Sequence, residues 1–265
     1  MAPGSPAPSI ALVTPCFNSL SFLPAAVDSV LAQGYPTLSY HVQDGGSTDG
    51  SCEWLQSKRP RVSWDSAPDQ GQAAALNLGF ARVAGEVMGW LNSDDVLLPG
   101  ALAAVGRHFA EHPETDVVYG HRILIDEDGL EIGRWVMPPH DDATLSWGDY
   151  VPQETLFWRR ALWERTGGRV DPSFAFAIDW ELLLRLRSAG ARFALLPRFL
   201  GAFRVHAAQK TTALMATRGA EEISRLRRQL HGRYVPTGEA SRALESFLDR
   251  SSIEHYLFRV GLRRL

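Results

Sequence analysis

Cysteine is nearly absent: Cys16 and Cys52 are the whole supply in 265 residues. Two thiols cannot build a disulfide framework, and their spacing is not that of a metal-ligand set, so a reducing compartment is the simpler expectation. Long apolar runs are absent too. No stretch approaches the roughly 18 residues that a bilayer-spanning helix needs, which points to a cytoplasmic protein or one held peripherally at the inner face of a membrane. Residues 1–8, rich in Pro, Ala and Gly, lack the charged and then apolar order of a signal peptide and read as a flexible leader. A positive surplus is missing as well: the net charge is −3, which argues against a nucleic-acid partner. That total hides an uneven spread, since the residues from Arg204 onward hold 12 Lys and Arg against 6 Asp and Glu.

What remains is an ordinary globular composition, 45% hydrophobic and 22% charged, on a chain long enough to bury one substantial core. Its apolar residues follow a repeating order. Ser9 to Thr14 is a short apolar run stopped by Pro15, and Ser21 to Gln33 places Phe22, Leu23, Ala26, Val27, Val30 and Leu31 on one helical face, ended by Gly34 and Pro36. The strand-then-helix rhythm recurs in residues 38–43 and 48–57, 62–64 and 71–83, and 86–91 and 99–112. Four such units predict an α/β layer of parallel strands joined by right-handed crossovers. Beyond them the pattern predicts a strand at 116–119, a hairpin of 122–126 with 130–136, then an irregular region rich in proline and aromatics. A helix at 177–188, short strands at 192–196 and 200–205, and two amphipathic helices near 212–231 and 239–262 complete it. The main domain would span 9–206, with 207–265 as a helical extension.

In open α/β sheets ligands bind beyond the carboxyl ends of the strands, and polar clusters fall at such places here. Thr14-Pro15-Cys16-Phe17-Asn18 follows the first strand. Gln43-Asp44-Gly45-Gly46-Ser47-Thr48-Asp49-Gly50 follows the second, where Asp44 would accept hydrogen bonds from a base or ribose and Asp49 would close the next helix. Asp69-Gln70-Gly71-Gln72 opens the third helix, and both a capping and a ligand role stay open there. Most telling is Trp90-Leu91-Asn92-Ser93-Asp94-Asp95, an apolar run that ends in two adjacent carboxylates. Hard oxygen ligands at a strand end suit Mg²⁺ or Mn²⁺ carrying a diphosphate; capping the following helix is the competing role. No Gly-x-Gly-x-x-Gly follows the first strand, which sets aside an NAD(P) enzyme.

Taken in order, five motifs resemble those of the inverting nucleotide-sugar glycosyltransferases of family 2. They are Thr14 to Asn18, Asp44-Gly45-Gly46-Ser47-Thr48-Asp49, Asp69 to Asn77, Asn92-Ser93-Asp94-Asp95, and Ile178-Asp179-Trp180-Glu181-Leu182. Gly45 stands where the family has a second Asp, leaving Asp44 to make any base or ribose contact from that loop. Asn92 stands for the first acid of the Asp-x-Asp metal motif, leaving Asp94, assisted by Asp95, as the metal carboxylate.

The resemblance implies the GT-A fold, an α/β Rossmann-like single domain with a mostly parallel central sheet, a small antiparallel portion and a C-terminal helical extension. It implies a metal-dependent enzyme that moves a sugar from a nucleoside diphosphate, a UDP-sugar favoured, to a hydroxyl of a sugar or lipid-linked acceptor, in bacterial surface polysaccharide or glycoconjugate synthesis. Thr14, Pro15, Phe17, Asn18, Asp44, Gln72, Asn92 and Ser93 would line the nucleotide, and Asp94, Asp95 and His206 would hold Mn²⁺ or Mg²⁺. Asp179 would take the acceptor proton, its competing role being the cap of its own helix. Gln153, Glu154, Trp180, Glu181, Arg204 and Lys210 would contact substrate.

On the last helix Leu244, Phe247, Leu248, Tyr256, Leu257 and Val260 form an apolar stripe beside Arg250, Arg259, Arg263 and Arg264. Packing on the domain or on a second copy is the favoured reading, and contact with an anionic membrane the other. Two rival functions stay open: a sugar-1-phosphate nucleotidyltransferase, against which the lack of a basic Gly-rich loop after the first strand counts, and a degenerate domain that only binds carbohydrate or a partner.

Overall fold

Strand and helix alternate through the first third of the chain, as the apolar rhythm requires. A computed structural model, which describes residues 7–207, 209 and 215–262, gives β1 (Ile10–Cys16), α1 (Leu23–Leu31), β2 (Leu38–Asp44), α2 (Ser51–Ser57), β3 (Ser63–Ser66), α3 (Gln72–Phe80) and β4 (Val87–Trp90). These four strands lie parallel in the order β3-β2-β1-β4. β1 is buried at every position because it has a strand on each side and helices over its faces. Parallel registry puts Cys16 opposite Asp44, and Asp44 opposite Ser66, so the carboxyl ends of β1, β2 and β3 open on one edge.

The second half is mixed. β5 (Val96–Leu97), α4 (Ala101–Glu111), β6 (Val117–Ile125), β7 (Glu131–Trp135), α5 (Asp142–Leu145), β8 (Phe157–Arg159), α6 (Arg160–Arg165), α7 (Ile178–Ser188) and β9 (Phe193–Arg204) follow in turn. β8 is antiparallel to both β4 and β6, β9 runs parallel to β6, and β5 and β7 pair antiparallel at β9 and β6. The result is one nine-stranded sheet with an α/β parallel part and an antiparallel part.

Three expectations need correcting. β1 does not stop at Pro15 but runs through it to Cys16. The ladder to β4 ends at Val13, so the missing Pro15 N–H falls where only β2 still flanks the strand. The two short strands expected at 192–196 and 200–205 are one strand, β9, whose pairing with β6 shifts register around His121. That bulge lets one strand run through the stretch between them. β8 was not foreseen, because three residues, two of them buried, are too short to show an alternation.

The largest core lies under α3 and α7, where Phe80, Trp90, Trp158 and Trp163 meet at ring separations of 5.2 to 5.9 Å. The C-terminal helices, α8 (Ala220–His231) and α9 (Thr237–Arg259), pack on this half. Glu222 of α8 accepts hydrogen bonds from the backbone N–H groups of Ala175, Phe176 and Ala177 at 2.8 to 2.9 Å. It thereby satisfies amides around the start of α7, which has no capping side chain of its own. On α9 the apolar stripe divides: Phe247 is buried against Tyr150, ring to ring at 4.3 Å, while Leu248, Tyr256 and Val260 face solvent. Arg263 and Arg264 lie outside the described residues. No described helix is long and apolar enough to cross a membrane.

Candidate active site

The open edge of the parallel strands is organised by side chains that bind the loops to one another. Asn18, in the left-handed conformation at φ 47°, receives the Thr48 N–H on its Oδ1 at 2.8 Å while its own N–H reaches Ser47 Oγ at 2.8 Å. Asp49 accepts from the Leu20 N–H at 2.8 Å and from Ser51 at the start of α2, the closing role expected of it. The β1 and β2 loops therefore form one wall. Phe17 projects from it, 63% exposed, an aromatic ring left facing water beside a polar cleft.

Asp44 is not on that surface. Its side chain is fully buried, and Oδ2 accepts from Gly46 N–H and Ser47 N–H at 2.9 Å each, from Ser66 Oγ at 2.6 Å and from Cys52 Sγ at 3.3 Å. Burial pushes its pKa up, but the bonds from Ser47 and Ser66 with those of the backbone and Cys52 outweigh it and hold the carboxyl below its ordinary range. The ligand role expected of Asp44 gives way to a structural one. Thr14 and Pro15 are likewise buried within β1, with Thr14 Oγ1 2.9 Å from Tyr40 Oη, so neither offers a side chain to a nucleotide.

Beyond β4 the amide of Asn92 links three elements. It accepts from Gln72 Nε2 at 2.8 Å, donates to Gln153 Oε1 at 2.9 Å and approaches Asp95 Oδ2 at 3.3 Å; Gln153 in turn donates to the Trp90 carbonyl at 2.8 Å. Ser93 Oγ lies 2.9 Å from Ser19 Oγ, tying this loop to the β1 wall. Next to it Asp94 Oδ2 stands 3.1 Å from His206 Nε2, and the Asp94 side chain is 30% exposed toward the cleft. A carboxylate oxygen and an imidazole nitrogen brought together from residues 112 apart form a donor pair suited to Mn²⁺ or Mg²⁺, ions that take their remaining ligands from water and phosphate. Among the described residues no group of three or more His, Cys, Asp and Glu is placed to hold a metal.

Asp95 does not join that pair. It is buried, accepts the Arg204 N–H at 3.0 Å, and has its pKa pushed well up by burial and by the charges of Asp94 and Glu154. Burial that favours the protonated acid makes a poor metal ligand. Arg204, expected to meet phosphate, is buried and donates to the carbonyls of Asp94, Asp126 and Glu127 at 2.9 to 3.0 Å, which fixes the Asp94 turn onto the end of β9. Glu154 is spent on Arg122 in a two-pronged ion pair whose Nε–Oε1 arm is 2.8 Å. Trp180 is core, its indole N–H given to the Leu145 carbonyl at 2.9 Å, and Glu181 pairs with Arg185 one turn along α7 at 2.9 and 3.0 Å. None of these four presents itself to a substrate. Lys210 lies outside the described residues.

Asp179 opens α7, accepts the Trp180 N–H at 3.0 Å on Oδ1 and keeps a partly exposed side chain. Facing it is an acid that sequence reading missed. Asp149 lies at the surface, and burial and then the charge of Asp179 push its pKa well above the usual carboxylate range. Arg122 lies within electrostatic reach of Glu154, Asp95 and Asp149, so one guanidinium is shared among the three acids. The only signal for Asp149 was its position in the irregular aromatic stretch between strands; Arg122 read as an ordinary strand residue. Asn77, in the third motif, clamps Val170 through both its amide atoms at 2.8 and 2.9 Å and so supports the segment leading to α7.

Comparison with known proteins bears on this arrangement. The profile of Glycosyl transferase family 2 matches residues 11–169. An uncharacterized glycosyltransferase of Mycobacterium tuberculosis is 32% identical over 184 residues, 68% of this chain and 69% of that protein. A chondroitin synthase of Pasteurella multocida is 28% identical over 187 residues, which are 69% of this chain but 19% of that much longer protein. Among solved structures, Staphylococcus aureus TarS in complex with UDP-GlcNAc superposes with a TM-score of 0.70 at 16% identity, over 91% of this chain and 72% of that one. The mannosyltransferase PcManGT from Pyrobaculum calidifontis, in complex with GDP-Man and Mn²⁺, gives 0.63 at 18% identity, over 94% and 70%. The fold is GT-A.

Proposed function

The chain belongs to glycosyltransferase family 2, and from that premise we propose that it moves a sugar from a nucleoside diphosphate to an acceptor hydroxyl with inversion at the anomeric carbon. The observation that carries the reading is the Asp94–His206 pair at 3.1 Å, beyond the carboxyl end of β4, with Arg122 within electrostatic reach both of Asp95, next to Asp94, and of Asp149, the neighbour of Asp179 in charge. The base rests by the exposed Phe17 ring, and the diphosphate lies at Asp94 and His206. Those two residues would hold Mn²⁺ or Mg²⁺, which when bound supplies Lewis-acid neutralisation of the departing nucleotide.

The rest is done by the chain itself. The neutral amides of Gln72, Asn92 and Gln153 hold the Asp94 turn without adding negative charge beside a diphosphate. Asp179 takes the proton of the acceptor hydroxyl as it attacks the face opposite the leaving group. A UDP-sugar is the favoured donor; TarS, of the same fold, was solved with UDP-GlcNAc. Relatives that include a chondroitin synthase and an O-antigen biosynthesis protein support a polysaccharide or glycoconjugate product.

The test is a thermal-shift panel of UDP, GDP, dTDP and CDP, each with and without Mn²⁺, since a ligand that binds only the native state raises its melting temperature. One nucleotide is expected to shift the transition, and to do so more with metal. A flat panel would leave the degenerate-domain reading in its place.

A further inference from the structure

With Asp44 buried and its carboxylate occupied, the β2 loop has no acid to offer a nucleobase, and Gly45 has no side chain at all. The glycine is not there for the backbone. Gly46 has a left-handed φ of +88°, which favours glycine, whereas Gly45 does not lie in that region. Its limit is space: a Cβ on Gly45 would stand 2.9 Å from Asp69 Oδ2, 3.2 Å from Cγ and 3.3 Å from Oδ1. The Asp69 carboxylate therefore lies flat against the Gly45 α-carbon, in the volume that an acid at position 45 would fill.

That carboxylate is held in place. Oδ1 accepts the Gly71 N–H at 2.7 Å, and among the described residues no donor meets Oδ2. The Gly45 N–H is bonded to the Cys16 carbonyl at 2.8 Å, one residue before the exposed Phe17. An oriented acceptor and an unpacked aromatic ring thus share one corner of the cleft, the combination that recognises a planar base by its edge and its face.

We propose that Asp69, supplied from the β3–α3 loop, reads the ring N–H of the donor's nucleobase, and that Gly45 is glycine to make room for it. This rests on the donor-site reading above. The chemistry sets a preference: uracil, thymine and guanine carry a ring N–H for a carboxylate to accept, while the corresponding nitrogen of cytosine bears a lone pair that a carboxylate repels.

Isothermal titration of the full chain with UDP, GDP, dTDP and CDP in Mn²⁺ tests it, comparing wild type with Asp69→Asn. The wild type is expected to bind one of the first three more tightly than CDP. Loss of a charge-assisted hydrogen bond should weaken that nucleotide roughly 10- to 100-fold in Asp69→Asn, while CDP holds or improves, because an amide can donate to the cytosine ring. A purely structural role for Asp69 would weaken all four by one factor, and that result, or unchanged affinities, would overturn the proposal alone. Absence of binding by any nucleotide to the wild type would instead remove the donor site itself. Should Asp69→Asn fail to fold, the exchange Gly45→Asp with Asp69→Gly returns the acid to the β2 loop: retained preference over CDP supports the assignment, and lost preference overturns it.

Discussion

Asp44→Ala separates a structural acid from a ligand more sharply than any other substitution in the cleft. The Asp44 carboxylate receives two backbone amides, two serine hydroxyls and one thiol, all in a fully buried position. Truncation leaves the Gly46 and Ser47 amides without their acceptor, at about 1–3 kcal/mol each, so a total near 4 kcal/mol is expected after partial compensation by water. The isosteric Asp44→Asn keeps one acceptor oxygen and loses chiefly the charge assistance of several bonds, about 2 kcal/mol. At about 2–4 °C per kcal/mol for a chain of this size, the melting temperature should fall by roughly 8–16 °C in Asp44→Ala and 4–8 °C in Asp44→Asn. Below melting, nucleotide affinity should change little in Asp44→Asn. The sign with pH follows from the lowered pKa. The charged form contributes its stability in full above the unfolded value of about 4 and loses it as pH falls through the folded value, so wild type and Asp44→Asn should converge in acid. Scanning calorimetry with a parallel titration of nucleotide decides it: an unchanged melting temperature together with lost nucleotide binding would show that Asp44 serves the ligand.

Asp179→Asn should abolish sugar transfer while leaving nucleotide affinity within about 3-fold, since the amide keeps the shape of the residue and loses only its basicity; turnover at the wild-type rate removes Asp179 from the mechanism. His206→Ala should cancel the extra thermal shift given by Mn²⁺ and spare the metal-free shift, read in the same panel; an undiminished metal effect would place the ion elsewhere. For Asp149, whose folded pKa is raised, the sign is opposite to that of Asp44. The native state favours its protonated form, so a cost builds as pH rises above the unfolded value of about 4 and stands in full above the folded one. Asp149→Asn should therefore melt higher than wild type at pH 8 and match it near pH 3; a lower melting temperature at pH 8 would refute the like-charge pairing of Asp149 with Asp179.

Much of the fold was legible because its signals are local. The apolar runs that became β1, β2 and β4 and the spaced face that became α1 needed only neighbours in sequence. The antiparallel part was harder: β8 has three residues and β5 two, too few to show a period, and both exist because long-range pairing with β4, β6 and β9 stabilises them. At the site, sequence order singled out Asp94 and His206, which the fold brings to 3.1 Å of each other, and Asp179 at the start of α7. Which way a side chain turns was not legible. Asp44, Asp95, Glu154 and Arg204 are chemically fit for ligands, yet each meets a buried partner first: serine hydroxyls and amides for Asp44, the Arg204 backbone for Asp95, Arg122 for Glu154, three carbonyls for Arg204. The acid lost at position 45 has its counterpart 24 residues on, beside the Gly45 α-carbon, a juxtaposition that only the packed loops reveal.

Crystallography of the full chain with Mn²⁺ and an unreactive analogue of the nucleotide sugar that performs best in the thermal panel addresses the central claim, that acids far apart in sequence surround a single donor pocket. The diphosphate and metal are expected at Asp94 and His206, the base between Phe17 and Asp69, and the anomeric carbon open toward Asp179. A donor bound on another face, or protein standing between its anomeric carbon and Asp179, would contradict it.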